Sequence, residues 1–300
     1  MLGGIEAGGT KFVCVVGTGP DDLRAELRVP TTTPAETLRA VVAFFDSQRH
    51  LHGPIEALGI GSFGPVDLDP ASPTWGFITA TPKPGWAHTD LAGTLRCELN
   101  VPVAFDTDVN AAAFGEWRHG AAQGLDTCLY LTVGTGIGGG AIAGGRLLHG
   151  LVHPEMGHVR VPRDSADVAF PGVCPFHGDC LEGLASGPAM AARWGVPPES
   201  LPPDHHAWTL EARYLALALT GFACTLSPQR IIVGGGVMAE PSLLPRVRQQ
   251  LQALLNGYIQ APEVLTGIDR YVVAPALGSR AGVIGALVLA GQARTRGPRA

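Results

Sequence analysis

The chain has 300 residues, 46% of them hydrophobic, and a formal net charge of −5, so it is long enough for two ordinary domains with buried cores. The acidic balance offers no basic surface to nucleic acid, and no segment has the pattern of a signal peptide or of a membrane-spanning helix. Six cysteines in a chain of this length do not make a disulfide framework, so we expect a cytoplasmic protein with no nucleic-acid or membrane partner.

The first third of the chain predicts an α/β unit that opens with a hairpin. Residues 4–11, G-I-E-A-G-G-T-K, place a glycine turn before an apolar run at 12–16, which is typical of a β-hairpin. A capping box at Thr33 and Glu36 predicts a helix that runs towards His50. Two further strands are predicted at 55–61 and 102–105. The second strand leads into a helix that runs through Trp117.

The same order of elements starts again in the middle of the chain. A strand at 128–133 is followed by a glycine turn and by a second strand at 140–143. Because both halves open with strand, glycine turn and strand, they indicate a duplicated α/β unit. The later elements are a strand at 231–233 that ends in three glycines, a helix at 241–256, and a last helix at 279–294 whose small residues permit close packing.

Both glycine turns are candidates for binding phosphate. The first is close to a P-loop, but Thr10 and Lys11 stand in exchanged order and a strand follows instead of a helix. The second, at 134–139, satisfies the G-x-G-x-x-G dinucleotide fingerprint, but a strand again follows, which argues against a Rossmann site. Backbone N–H groups in such turns can cradle phosphate oxygens. An ordinary hairpin turn is the alternative for the first motif.

A carboxylate at the junction of a strand and a helix is a candidate general base. Residues 106–110, D-T-D-V-N, resemble the start of a calcium loop, but Ala111 and Trp117 stand where that loop requires Gly and Glu. A carboxylate here can instead accept the proton of a substrate hydroxyl during phosphoryl transfer. A helix cap is the alternative for an isolated Asp.

Four soft metal ligands lie close together in the sequence. His158 is followed by Cys174, His177 and Cys180 at C-x2-H-x2-C spacing, in a stretch rich in Gly and Pro. Two Cys and two His suit the tetrahedral coordination of zinc, which would order a loop with little core of its own. Acidic residues flank the cluster, so the sequence predicts a metal-braced loop beside a binding site. A core His with surface thiols is the alternative.

Taken in order, these motifs resemble the ROK kinases, bacterial sugar kinases of the hexokinase–actin superfamily, and most closely their fructokinase branch. G-I-E-A-G-G-T-K is similar to the family's first phosphate loop, G-T-G-I-G-G-G to its second, and I-I-V-G-G-G-V to its adenosine segment. D-T-D-V-N resembles the catalytic segment, and P-E-M-G-H (154–158) resembles the motif of the sugar site and first zinc ligand. T-P-K-P-G-W (81–86) resembles a segment typical of the fructokinase branch.

The resemblance implies two ribonuclease-H-like α/β domains, of the actin and hexokinase type, around a central cleft. The smaller domain would comprise 1–110 plus 280–300, and the larger would comprise 111–279 with a zinc-binding loop at 153–182. The implied activity is ATP-dependent phosphorylation of a hexose, first of all D-fructose to fructose 6-phosphate. Mg²⁺ and Zn²⁺ would be the cofactors, hexose and ATP the small-molecule partners, and a homodimer the assembly.

The resemblance also assigns roles to individual residues. Asp108 matches the general base, and Glu6, which stands where many relatives have Asp, would approach the magnesium ion. With one ring nitrogen on zinc, the other nitrogen of His158 would be aimed at the sugar. The nucleotide would be bound by Gly8, Gly9, Thr10, Lys11, Gly134, Thr135, Gly136, Gly187, Gly234, Gly235 and Gly236, the sugar by Gly64, Pro65, Thr107, Asn110, Glu155, His158 and Glu182, and zinc by His158, Cys174, His177 and Cys180.

Alternatives remain for both the substrate and the class of protein. A ROK kinase for mannose, glucose or an N-acylhexosamine would keep the same fold and catalytic residues. A non-catalytic, sugar-responsive repressor of this family would carry an N-terminal helix-turn-helix, whereas here the hairpin begins at residue 3. A zinc-dependent nucleic-acid module would need a basic face, but acidic residues border the cluster.

Overall fold

The chain divides into two compact units in the computed structural model, which describes residues 1–296. Unit 1 consists of Met1–Gln123, Leu147–Pro154 and the segment that follows Gly278, and unit 2 consists of Gly124–Arg146 and Glu155–Gly278. The sequence placed the first domain boundary after residue 110, whereas the compact unit continues to Gln123 because the helix at 108–119 packs within it. Residues 297–300 of the predicted smaller domain lie outside the described residues.

Unit 1 is built on a five-stranded sheet. The sheet contains β1 Leu2–Ala7, β2 Lys11–Gly19, β3 Asp22–Pro30, β4 Ala57–Ser62 and β7 Val103–Thr107, whereas β5 Phe77–Ile78 and β6 Thr89–Asp90 form a separate two-stranded sheet. The order in the large sheet is β3-β2-β1-β4-β7. The strands β1 and β2 form the predicted antiparallel hairpin, β3 pairs antiparallel with β2, and β4 and β7 continue the sheet in parallel with β1.

Three helices of unit 1 follow its strands: α1 Pro34–His52, α2 Leu91–Leu99 and α3 Asp108–His119. The start of α1 is the predicted capping box. The hydroxyl of Thr33 accepts from the backbone N–H of Glu36 at 3.4 Å and donates to its carboxylate at 2.9 Å. The helix ends at Gly53, whose φ of 89° lies in the region that favours glycine. Local chemistry therefore sets both ends of α1.

Unit 2 repeats the same sheet topology. Its sheet contains β8 Cys128–Val133, β9 Ile137–Ala143, β10 Arg146–Leu147, whose second residue is assigned to unit 1, β11 Arg230–Gly234 and β12 Val272–Val273. The order β10-β9-β8-β11-β12 matches that of unit 1 strand for strand, with an antiparallel hairpin β8/β9 and parallel pairs β8/β11 and β11/β12. The predicted duplication is confirmed. The second glycine turn is shorter than predicted, because Ile137 already pairs with Val133.

Six helices belong to unit 2: α4 Leu181–Ala185, α5 Gly187–Trp194, α6 Ala207–Leu226, α7 Leu243–Leu255, α8 Pro262–Leu265 and α9 Ile268–Tyr271. The long helix α6 packs mainly against α7. Within residues 1–296, no helix combines the length and the apolar character needed to cross a membrane.

The last described helix, α10 Ala281–Arg296, packs on α3 and β4 of unit 1 with direct backbone contact. A Cβ on Gly59 would lie 1.8 Å from the carbonyl oxygen of Ala286, and a Cβ on Gly285 would lie 1.6 Å from that of Ala111. Side chains larger than hydrogen do not fit at these two glycines. The small residues of this segment thus permit the close packing that the sequence predicted.

Gly285→Ala is expected to destabilise the protein, because the added methyl group would force α10 away from α3. Overpacking of this kind costs about 1–3 kcal/mol. Gly291→Ala on the same helix is the matched control, since the nearest atom to its Cβ is Leu2 Cδ1 at 3.9 Å and helix propensity there favours Ala by about 1 kcal/mol. Urea unfolding measures both variants, and equal free energies of unfolding would contradict the backbone contact.

Candidate active site

The carboxyl edge of the sheet in unit 1 carries several of the residues that the sequence singled out. The strands β1, β4 and β7 run in parallel, so the chain leaves each of them at the same edge, where ligands bind in open α/β sheets. Glu6 lies at the end of β1, the Gly64–Pro65 turn follows β4, and Asp108 follows β7. Two carboxylates and a tight turn therefore share one side of this unit.

The charge of Asp108 affects the ionisation of Glu6. Burial, followed by the charge of Asp108, raises the pKa of Glu6 to about 7, against the opposing effect of Lys11. Burial also raises the pKa of Asp108 to about 6, although the backbone N–H of Val109 donates to its Oδ1 at 2.8 Å. A Cβ on Gly282 of α10 would lie 2.5 Å from Glu6 Cδ. Keeping both carboxylates ionised is thus unfavourable at this edge, where a proton or a cation would be stabilised.

A buried network fixes the start of α3 beside Asp108. The hydroxyl of Thr107 caps the helix by accepting from the backbone N–H of Asn110 at 3.1 Å. Asp106 Oδ1 accepts from Asn110 Nδ2 at 2.7 Å, and Asp106 Oδ2 lies 2.9 Å from His149 Nε2. The amide oxygen of Asn110 is buried without a hydrogen-bond partner among the described residues. Asp106 and His149 were missed by the sequence reasoning, which considered only Thr107, Asp108 and Asn110 in this region.

The first glycine turn holds its shape by backbone hydrogen bonds and exposes its tip. Gly8 N donates to Lys11 O at 3.0 Å, and Gly8 O accepts from Thr31 Oγ1 at 2.7 Å. Thr10 and Lys11 are exposed, and no described atom lies within 4 Å of the position that a Cβ would take on Gly9. The turn is therefore open to a ligand on that side.

Unit 2 contains a cavity of about 740 Å³ at the turns that follow β8 and β11. Four residues predicted to bind the nucleotide line it: Gly134, Thr135, Gly187 and Gly236. Gly187 N donates to Gly134 O at 2.8 Å, which joins the start of α5 to the second glycine turn. The volume falls within the usual range for small-molecule and cofactor sites, about 300–1,000 Å³.

Two of the other predicted glycines support the cavity from outside its lining. Gly235 has a φ of 100°, and a Cβ there would lie 2.3 Å from Val133 O. A Cβ on Gly234 would lie 2.6 Å from the ring of Pro275. These glycines allow β11 and β8 to end close together, so their role is in the shape of the turn.

The wall of the cavity contains residues that the sequence reasoning missed. Leu201 and Trp208 are buried there, and the indole N–H of Trp208 donates to Pro202 O at 3.0 Å. Glu199 and Glu240 add carboxylates to the lining. No motif marks these positions, because they come from irregular segments and from the first turn of α6.

Glu182 and Gly157 join the predicted metal loop to the second glycine hairpin. Glu182 Oε2 accepts from the backbone N–H of Ile137 at 2.9 Å and lies 2.7 Å from the position of a Cβ on Gly136. A Cβ on Gly157 would lie 1.8 Å from Ile137 O. In unit 2, predicted sugar-binding and phosphate-binding residues are therefore direct neighbours. Glu155, also predicted for the sugar, is exposed.

The four predicted metal ligands come together in unit 2. Their donor atoms all lie within 4.8 Å of one another. His158 Nδ1 is 3.5 Å from Cys180 Sγ and 3.7 Å from Cys174 Sγ, and Cys174 Sγ is 3.6 Å from His177 Nδ1. A tetrahedral ion with the usual metal–nitrogen and metal–sulfur bonds separates N and S by about 3.6 Å. The donor set thus fits a soft divalent ion.

The duplicated ribonuclease-H-like sheet, with glycine hairpins and a carboxylate after β7, defines the actin and hexokinase class of phosphotransferases. The chain belongs to the ROK family, whose family model matches residues 2–293.

Relatives of known name match nearly the whole chain. A Bacillus subtilis protein with the provisional name fructokinase is 52% identical over 293 residues, which are 98% of this chain and 96% of that protein. The fructokinase of Pediococcus pentosaceus is 42% identical over 290 residues, 97% of each chain. Among solved structures, a ROK family glucokinase from Streptomyces griseus in complex with glucose and AMPPNP superposes with a TM-score of 0.75 at 29% identity, over 97% of this chain and 99% of that one.

Metal analysis of the purified protein is expected to find about one tightly bound divalent ion per chain, because four protein donors surround one point. Cys180→Ser removes one of the two thiolate donors and is expected to release the ion. Cys224→Ser is the matched control, since Cys224 is an exposed cysteine of the same unit outside the cluster. An unmodified protein with well under one ion per chain would overturn the assignment.

Proposed function

We propose that the protein is a fructokinase that transfers the γ-phosphoryl group of ATP to the primary hydroxyl of D-fructose and forms fructose 6-phosphate. The observation that carries this proposal is the near full-length identity of 52% and 42% to proteins named fructokinase. The carboxylates and glycine turns of the structure support the same chemistry, because phosphoryl transfer needs a base and a cradle for phosphate oxygens.

Nucleotide binding is proposed for the cavity of unit 2. Backbone N–H groups of its glycine turns would bind phosphate oxygens, and Leu201 and Trp208 offer an apolar wall for a base. The AMPPNP in the glucokinase complex supports an adenine nucleotide as donor. We propose a matching contribution from the open first turn, Gly8 to Lys11, in unit 1.

Asp108 is the proposed general base. As the sugar hydroxyl oxygen forms its bond to the γ-phosphorus, the bond to the bridging oxygen of ADP breaks and the hydroxyl proton passes to the Asp108 carboxylate. A base must be ionised to act, and a pKa of about 6 leaves Asp108 largely ionised at neutral pH while raising its proton affinity above that of an ordinary Asp.

Magnesium fits the donor chemistry of unit 1. Hard cations prefer oxygen ligands, and the charge of Asp108 adds to burial in raising the pKa of Glu6, an effect that a neighbouring cation would oppose. We propose that Glu6 faces the ion that accompanies the nucleotide. When bound, such an ion neutralises phosphate charge.

Zinc is the proposed occupant of the four-ligand cluster, and its role would be structural because protein atoms fill all four positions. Nδ1 of His158 lies beside the thiols of Cys180 and Cys174, so a bound ion would leave Nε2 as the donor nitrogen. We propose that Nε2 donates to a sugar hydroxyl and that Glu155 and Glu182 also bind the sugar. Gly64, Pro65, Thr107 and Asn110 are the sugar-binding candidates of unit 1. We also propose that the protein forms a homodimer and is located in the cytoplasm.

Asp108→Asn is expected to lower kcat by at least about a hundredfold, because the amide cannot accept the proton, while sugar binding stays measurable. The fall of kcat in the unmodified enzyme as pH drops through about 6 should have no counterpart in the variant. Coupled measurement of ADP release gives kcat, and calorimetry gives the affinity for fructose. Asp21→Asn, at an exposed turn, is the control. Near-normal turnover of Asp108→Asn would remove this residue from the mechanism.

An ADP-release assay with fructose, mannose, glucose and N-acetylated hexoses tests the function itself. Fructose is expected to give the highest kcat/KM. The protein is first dialysed against a zinc chelator or against buffer, and the assay then contains excess magnesium and no chelator, so that loss of zinc is separated from loss of magnesium. Release with glucose alone would overturn the fructokinase assignment. No release with any sugar would favour a non-catalytic sugar-binding protein.

A further inference from the structure

Residues 147–154 return the chain to unit 1 and carry two histidines onto it. We call this segment the histidine strap. His149 lies against Asp106 at 2.9 Å, at the exposed end of the network that supports α3. His153 is buried, with 5% of its surface exposed, and its Nε2 accepts from the backbone N–H of Val66 at 3.1 Å.

The His153 ring packs against one side of the turn that follows β4. On the other side, Pro65 O accepts from both the backbone N–H and the hydroxyl of Thr79, at 2.8 and 3.0 Å. Phe63 N donates to the last residue of β1 at 2.7 Å. A Cβ on Gly64 would lie 3.4 Å from His153 Cε1. The imidazole therefore packs over Gly64 and also accepts the hydrogen bond from Val66 N. The turn is therefore held from both sides.

We propose that His153 is a positioning residue for the sugar, which acts by holding the Gly64–Pro65 turn through the Val66 N–H. The inference rests on the proposed function, in which this turn contacts the sugar. A buried N–H without an acceptor is costly, so loss of the imidazole would let the turn move towards another acceptor. The nucleotide cavity lies in unit 2 and shares no residue with this contact.

The contact requires a neutral imidazole whose Nε2 carries no proton. Burial lowers the pKa of His153, the nearby charge of His149 acts in the same direction, and the Asp106 carboxylate and the Pro154 backbone oppose them. As the pH falls and Nε2 gains a proton, the ring can no longer accept from Val66. The affinity for the sugar should then weaken, in addition to any loss of kcat at Asp108.

His153→Leu keeps an apolar side chain over Gly64 but removes the acceptor, and it is expected to raise the KM for fructose about tenfold. The KM for ATP should stay within about twofold, since the cavity is elsewhere. His153→Gln is the conservative variant, because its amide oxygen can reach the position of Nε2; it should restore most of the sugar affinity and abolish the rise of the fructose KM at acid pH. His50→Leu, at an exposed position of α1, is the control.

The outcomes separate this inference from the proposed function. A wild-type protein that phosphorylates no sugar refutes the function. A wild-type protein that phosphorylates fructose, with unchanged fructose KM in His153→Leu, refutes only the role of His153. Equal increases in the two His153 variants, or parallel increases in the KM for ATP and for fructose, also refute it. Should His153→Leu fail to fold, the comparison of the acid dependence of fructose KM between the wild type and His153→Gln still decides.

Discussion

Helix α10 lies so close to α3 and β4 that backbone touches backbone, and the geometry of unit 1 depends on that packing. Gly285 meets Ala111 of α3, Gly59 of β4 meets Ala286, and Gly282 meets the Glu6 carboxyl. One helix therefore sets the distance between α3 and the sheet and also closes the space around Glu6. Because Asp108 is the first residue of α3, its position relative to Glu6 is fixed by close-packed main chain instead of by adaptable side chains.

The electrostatic character of this edge follows from the same packing. Burial raises the proton affinity of both carboxylates, and the charge of Asp108 raises that of Glu6 further, so a cation beside them would offset the cost of keeping both ionised. A base with a pKa of about 6 suits catalysis near neutral pH, since it is mostly ionised and still a better proton acceptor than an ordinary Asp. Burial thus tunes the proposed base, while Lys11 limits the effect on Glu6.

The sequence was most informative where the signal is local. The capping box of α1, the two glycine hairpins and the four-ligand spacing each depend on residues near in sequence, and the structure has all of them. Contacts between distant residues left no such signal: His153 reaches Val66 across 87 positions, and His149 reaches Asp106 across 43. The cavity wall at Trp208 was missed for the same reason, because its lining is assembled from separate segments. The order of the motifs was enough to indicate the family, whereas residues such as His153, His149 and Trp208 could be recognised only from the tertiary structure.

The docking of α10 also has a consequence for synthesis of the chain. The helix begins at residue 281, yet it covers strands that begin at residue 2 and a helix that ends at residue 119. On the ribosome, unit 2 is complete in sequence at Gly278, before α10 has been made. Until α10 is synthesised, part of the unit 1 sheet stays uncovered, although the hairpin of this unit is synthesised first. The part of the molecule that carries Asp108 is therefore the last to be completed, and a chain that stops before residue 281 would keep the four-ligand cluster but lose the support of its proposed base.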